Sequence, residues 1–395
     1  MNNDTHGSAS QTVPETAPAG PEAPLATLAR RSPEQVAEYH RAKRAVRLAD
    51  LGIGLLYWLI WLALAPGFAT WLELHIASPW AALAVATLVM FGGLVIVGLP
   101  LSFFSGYLLE KEYDLTNQTP RTWLLFEAKT WLVGVILGAI LVGGLYALLW
   151  YAGTLWAVWV WIGVMLFSVV MAKIFPLVIL PLFYPSTPLD RPSLNERLRQ
   201  MAATAGMIVT GVFSLALSKD TKKANAMLAG LGSTRRVYLS DTLLDAFGDD
   251  EIAVVFAHEL GHHIRGHIVK AIGLAAGVSS VLVAVIWWRL DPYAGVPSQW
   301  TGAVAGLAQV GLIMAALPLV IAPVSNAISR HFERQADRDA LRLTDDPEAY
   351  RATFRKLTGM NLVDPDPPRW EVVLFEDHPP MAERIAAADR YVRGS

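Results

Sequence analysis

The stretch Leu51–Leu72, LGIGLLYWLIWLALAPGFATWL, decides the fold class of this chain. It contains no charged residue, and an α-helix needs about 20 apolar residues to cross the hydrocarbon core of a bilayer. Inside a bilayer, backbone polar groups must be hydrogen-bonded within the segment, which favours a helix over an irregular chain. The sequence therefore predicts a membrane-spanning helix here.

Five further segments have the same character. They cover approximately residues 80–101, 130–149, 155–180, 269–288 and 304–327. In the whole chain of 395 residues, 54% are hydrophobic and 17% charged, whereas soluble domains contain about 25% charged residues. Core helices of a soluble domain would be shorter and fewer. We therefore predict an all-α polytopic membrane protein with about six transmembrane helices.

Lys and Arg are distributed unevenly among the connecting loops. The loops 74–79, 151–154 and 291–299 contain neither residue. A basic run at 30–47 precedes the first span, and it is either a solvated helix face or a cytoplasmic anchor. The positive-inside rule favours the anchor. It predicts a multi-pass protein of the inner (cell) membrane whose two termini and large loop, 184–267, are cytoplasmic.

The apolar segments and the distribution of charged residues divide the chain into parts. The large loop is expected to fold as a small α+β unit, with a helix capped by Ser193 and strands within 207–217 and 236–239. The expected parts are a disordered, basic tail (1–47), four membrane helices (48–183), the cytoplasmic unit (184–267), two membrane helices (268–328) and a cytoplasmic C-terminal segment (329–395).

Charge and cysteine content exclude several classes of function. The formal net charge is −2, so no nucleic acid or other polyanion is indicated as a partner. The chain has no cysteine, which excludes disulfides, a cysteine nucleophile and thiolate-bound metals. Histidine, aspartate and glutamate remain as possible metal ligands.

One motif in the cytoplasmic unit carries chemistry. The stretch 256–263, FAHELGHH, contains His258-Glu259-x-x-His262, an arrangement typical of zinc peptidases. Two histidines four residues apart on a helix can bind one metal ion, and Glu259 beside them can take a proton from a water molecule. The acidic residues 249–251 suit the start of such a helix. The alternative is a polar helix face with unrelated histidines.

A catalytic zinc site needs a third protein ligand, and residues 329–337 offer a candidate. Glu333 and Asp337 are four residues apart, so Glu333 could bind the metal while Asp337 accepts the second N–H of a ligand histidine. The alternative is an amphipathic helix in which Glu333 pairs with Arg330 or Arg334. Spacing alone does not decide between the two.

The remaining histidines lack ligand spacing. His263 and His267 follow the motif near the end of its helix, where a cation suits the helix dipole, so a structural role is favoured. His331 is two residues from Glu333 and should face elsewhere on a helix. His378 precedes Pro379 in a turn before the final helix, and alone it would be an ordinary loop histidine.

Taken together, the motifs resemble the type 1 CAAX prenyl endopeptidases, integral-membrane zinc proteases that process prenylated peptides. The resemblance covers most of residues 80–390. It rests on separated motifs in order: Glu110–Thr119, Pro181–Phe183, Thr187–Leu189, Asn225-Ala226, Arg235–Leu243, the His258 to His262 motif, Ser329–Asp337, and His378-Pro379 with Arg384.

The resemblance implies a metal centre and a base. His258, His262 and Glu333 would hold one Zn²⁺ per chain in a gluzincin-like zinc protease unit, and Glu259 would be the general base. The membrane helices would enclose a chamber.

The resemblance also implies residues that contact substrate. Asn225 and Ala226 would pair with an extended peptide, as an added β-strand does. His378 would stabilise the developing oxyanion. Arg384 would organise that region or meet a substrate carboxylate.

The sequence therefore predicts an integral-membrane zinc endopeptidase, embedded in the lipid bilayer, that acts on peptide or protein substrates with or without a lipid. One alternative is a quality-control protease that cuts unprenylated proteins. Another is a non-catalytic lipid or peptide carrier that keeps only the chamber, against which an intact Glu259 argues. The sequence indicates no oligomeric state.

Overall fold

The computed structural model of the chain describes residues 31–207, 209–230 and 235–394. The tail predicted for residues 1–30 lies outside this range. Residues 33–47, expected to belong to that tail, instead form the first turns of a long helix. Ser32 and Gln35 form a capping box at its start, and Pro33 occupies the first helical position. These local features order the segment.

The first half of the chain consists of long apolar helices. They are α1 (Pro33–His75), α2 (Pro79–Phe103), α3 (Pro120–Tyr151) and α4 (Trp156–Ile174). Helices α2 and α4 each continue through a short π-helical segment, and they end at Glu112 and Phe183, respectively. Ser78 and Thr119 cap α2 and α3.

The α+β unit follows α4. Its elements are β1 (Ser186–Pro188), α5 (Pro192–Thr204), β2 (Gly211–Leu215), β3 (Ala226–Ala229), β4 (Arg236–Ser240), α6 (Asp241–Ala246) and α7 (Asp249–Ile264). The strand order is β1-β2-β4-β3, with β2 parallel to β4 and the other pairs antiparallel. Among the described residues, strand β3 is therefore an edge strand whose one partner is β4.

The predicted strands correspond to β2 and β4, whereas the predicted cap at Ser193 is wrong. The first residue of helix α5 is Pro192, directly before Ser193, and no side chain caps its first turn. Proline fits this position because its missing N–H is one that the first turn leaves unpaired.

The remaining elements are α8 (His267–Leu290), α9 (Trp300–Ala305), α10 (Leu307–Thr344), α11 (Pro347–Met360), α12 (Arg369–Phe375) and α13 (Met381–Gly394). Helix α10 runs unbroken from the apolar segment into the α+β unit. In the described residues six helices are long and apolar enough to cross a membrane. The predicted fold class, a mostly helical membrane protein with a small sheet, is confirmed.

Buried apolar residues pack in several clusters. One lies among the membrane helices and contains aromatic and aliphatic side chains, and in it Tyr146 donates a hydrogen bond to the carbonyl of Ala303 at 2.7 Å. In another, α7 lies against α10 at close range. A Cβ atom on Gly261 would lie 3.0 Å from the Cα atom of Ala336, so only glycine permits this approach. The contact sets the distance between the two helices that build the site.

Candidate active site

Helix α7 is anchored at its start and buried along its length. Its Glu251 side chain accepts the Gly248 backbone N–H at 2.8 Å and pairs with Lys356 at 2.5 Å. Phe256 and Leu260 pack in the core beneath the sheet. The opposite edge of the helix therefore presents the histidines toward α10.

Three side chains from α7 and α10 converge. The Nε2 atoms of His258 and His262 each lie 3.2 Å from a different carboxylate oxygen of Glu333, and 3.2 Å from one another. The three candidate ligand atoms all lie within 4.8 Å of each other. Such a group could hold a single metal ion.

The arginines that could have paired with Glu333 point elsewhere. Arg330 donates to the backbone carbonyls of Val372 and Glu376, both at 2.6 Å. Arg334 forms a two-point ion pair with Glu383, at 2.7 and 3.2 Å. The amphipathic-helix alternative is therefore excluded for these two arginines.

The residues of the group fit a cation. Glu333 Oε2 is buried and has no hydrogen-bond partner among the described residues, since its 3.2 Å approach to His258 lacks hydrogen-bond geometry. Two imidazoles and one carboxylate form a donor set found in catalytic zinc sites. Burial lowers the pKa of His258, but the adjacent carboxylates of Asp337 and Glu333 outweigh this effect and raise the pKa to about 9. The carboxylates thus favour positive charge at this position.

Asp337 and Arg384 form the layer behind His258. Asp337 Oδ1 lies 2.9 Å from His258 Nδ1, which directs Nε2 toward Glu333. Arg384 binds both oxygens of Asp337, at 2.7 and 3.0 Å, and lies 3.6 Å from Glu333. Its side chain is only 6% exposed. Burial lowers the pKa of Arg384, but Asp337 outweighs this effect and keeps the guanidinium charged.

Glu259 and His378 lie on the accessible side. Glu259 is partly exposed and has no hydrogen bond or ion pair among the described residues. The His378 side chain is 51% exposed, with Nε2 3.5 Å from Glu333 Oε2. A 2.7 Å hydrogen bond to Asp377 raises the pKa of His378, against the effect of burial. Both side chains are accessible to a substrate.

The segment before edge strand β3 is held in a way that the sequence did not indicate. Asn225 is exposed and Ala226 opens the strand. The amide of Asn361 brackets Ala224, accepting from its N–H at 2.9 Å and donating to its carbonyl at 3.1 Å. Lys223 pairs with buried Glu110 at 2.8 Å. No local pattern marks Asn361, because its partner is 137 residues away.

The fold and the site together define a multi-pass membrane metallopeptidase. The sequence matches the model for Peptidase family M48 over residues 188–392, and that for "CAAX prenyl protease N-terminal, five membrane helices" over residues 15–185. The chain belongs to peptidase family M48 and is a metalloendopeptidase. The family resemblance and the enzyme class predicted from the sequence are confirmed.

Curated relatives agree with this assignment. The "Uncharacterized metalloprotease YhfN" of Bacillus subtilis is 28% identical over 355 residues, which cover 86% of this chain and 82% of the relative. The CAAX prenyl protease 1 of Saccharomyces cerevisiae is 26% identical over 323 residues, covering 74% and 69%.

A solved structure has the same fold. The crystal structure of S. mikatae Ste24p superposes with a TM-score of 0.73 at 21% identity, covering 91% of this chain and 89% of the other. The N-terminal family model describes five membrane helices, whereas residues 31–185 here contain four.

Proposed function

We propose that this metalloendopeptidase depends on one Zn²⁺ per chain, held by His258, His262 and Glu333. The observation that carries the proposal is the convergence of these three residues, with Glu333 Oε2 buried and without a hydrogen bond among the described residues. When bound, zinc would polarise the scissile carbonyl and lower the pKa of the attacking water. Asp337 and Arg384 would fix the orientation of His258.

In this proposal two accessible side chains handle protons and charge. Glu259 takes a proton from the attacking water and delivers it to the leaving amine, a role for which its unpaired carboxylate is suited. His378 donates a hydrogen bond to the oxygen that becomes negatively charged. Its protonation is favoured by Asp377.

The substrate would be an extended peptide added to the open edge of β3. Strand addition supplies backbone hydrogen bonds, and the exposed amide of Asn225 could contact the peptide at the start of the strand. Because curated relatives carry the name CAAX prenyl protease, we propose a peptide with a CAAX-like C-terminus, with or without a lipid. A quality-control role on unprenylated proteins is the competing outcome.

The proposed orientation places both termini and the cytoplasmic unit on the inner face of the cell membrane. The chain has no cysteine, so a single introduced one reports topology without a background. Ser193→Cys and Ser298→Cys are both at exposed positions. In spheroplasts, an impermeant maleimide should label only the second, and labelling of the first would reverse the orientation.

The enzyme assay uses the purified full chain, a farnesylated CAAX peptide and an unprenylated protein, each with and without a zinc chelator. Chelator-sensitive cleavage of the peptide, restored by zinc, supports the proposal. Chelator-sensitive cleavage of the unmodified protein alone favours quality control. Cleavage that survives complete removal of the metal refutes the zinc-dependent mechanism.

A further inference from the structure

A series of hydrogen-bonded side chains leads from His262 through buried His267 to the exposed His331. His262 Nδ1 lies 3.0 Å from His267 Nδ1, and His267 Nε2 lies 2.8 Å from the amide oxygen of Gln335. The amide nitrogen of Gln335 lies 2.9 Å from His331 Nε2. His267 is 3% exposed, so its nitrogens depend on these partners.

The turn between α7 and α8 places His267 against His262. Gly266 separates the helices with φ of 63°, a left-handed conformation that glycine adopts without strain. His267 is the first residue of α8, and its ring stacks on Phe332 with centroids 4.3 Å apart and planes at 11°. The imidazole is therefore fixed both by backbone geometry and by packing.

The donor and acceptor roles along these hydrogen bonds determine which nitrogen of His262 carries its proton. An amide oxygen only accepts, so His267 Nε2 must carry a proton when it faces the oxygen of Gln335. A neutral imidazole then has a lone pair on Nδ1, which accepts the Nδ1–H of His262. In that tautomer His262 Nε2 is free to bind a metal. If the nitrogen of the Gln335 amide faced His267 instead, His267 would carry its proton on Nδ1 and donate it to His262 Nδ1. His262 would then carry its own proton on Nε2.

We infer that His267 and Gln335 are positioning residues that hold His262 in its metal-binding tautomer. The inference rests on the proposed zinc site. It gives the two histidines different supports: His258 has the carboxylate of Asp337, whereas His262 has a neutral imidazole backed by an amide. With the Gln335 amide in this orientation, His331 Nε2 accepts from its nitrogen.

The test compares zinc affinity among variants of the full chain in detergent, by competition with a chromogenic chelator. His267→Phe keeps the stacked ring but removes the acceptor, and Gln335→Met removes only the amide. Each should weaken zinc binding about 10- to 100-fold, the usual effect of losing such a support. Excess zinc should then restore turnover, because the loss is in affinity.

Two variants serve as controls. Gln335→Glu keeps an oxygen toward His267 and should retain the affinity of the parent. His263→Phe alters a neighbouring, partly buried ring that has no side-chain hydrogen bond among the described residues, and it should change nothing. If His267→Phe fails to fold, the Gln335→Met and Gln335→Glu pair carries the test.

The outcomes separate the inference from the proposed function. If the parent binds zinc and Gln335→Met binds it equally tightly, the inference is overturned and the zinc site stands. The inference is also overturned if His263→Phe weakens binding as much as His267→Phe. A parent that binds no zinc overturns the proposed site and the inference together.

Discussion

Replacing Arg384 by Met tests how charge is balanced behind the site. Four buried ionisable groups contact one another there: His258, Glu333, Asp337 and Arg384. Without metal at pH 7, His258 is protonated because its pKa is about 9, and the four charges cancel. Loss of Arg384 leaves one uncompensated negative charge. With zinc bound and His258 neutral, the same loss only changes a net charge of about +1 to about zero, counting Zn²⁺ as +2.

The expected magnitude follows from the contacts. Arg384 binds Asp337 at 2.7 and 3.0 Å and lies over the ring of Phe354, 4.2 Å from its centroid. Breaking a buried ion pair by removing one partner costs about 3–5 kcal/mol. For a cooperatively unfolding unit of about 150–250 residues, a loss of about 3–5 kcal/mol in the free energy of unfolding corresponds to a fall in Tm of about 6–20 °C. Bound zinc should reduce this loss of stability.

The assay is thermal unfolding of the detergent-solubilised protein, followed by tryptophan fluorescence with and without zinc. Arg334→Met is the matched control, since Arg334 pairs with Glu383 on the surface, where both side chains are more than one-third exposed. Such pairs contribute about 0–1 kcal/mol. The reasoning is refuted if the metal-free Arg384→Met protein is as stable as the control, or if zinc leaves its deficit unchanged.

Three further experiments address the site. Glu259→Gln should bind zinc like the parent but lose about 10²- to 10⁴-fold in kcat, the usual contribution of a general base; equal kcat would exclude Glu259 from that role. Asn361→Ala removes both bonds to Ala224 and should raise KM for peptide up to about tenfold with zinc content unchanged. Asn195→Ala, at a partly exposed position of α5, is its control, and an equal KM in both variants would contradict the role of Asn361. Zinc at about a thousandfold excess over Kd should stabilise the metal-free protein by about 4 kcal/mol, measured by unfolding; no shift in Tm would count against the site.

The family resemblance and the membrane helices were predictable because both depend on local patterns. An uncharged run such as Leu51–Leu72 fixes its own helix, since each backbone bond closes within the segment. The spacing of His258 and His262 places both on one face of α7 wherever that helix lies. Residues 33–47 and Ser193 were predicted less well. The positions of a helix cap and of the first turn depend on which of several neighbouring residues begins the helix.

The sequence by itself determined the class of protein, the six apolar helices and the pair of histidines with the carboxylate between them. Only the tertiary structure decided that Glu333 faces those histidines while Arg330 and Arg334 bind elsewhere. It also brought Asn361 to Ala224, a pairing that no local pattern predicted. The physical reason is that periodicity specifies neighbours within one helix, whereas these contacts depend on how closely α7 and α10 approach and where the following turns end.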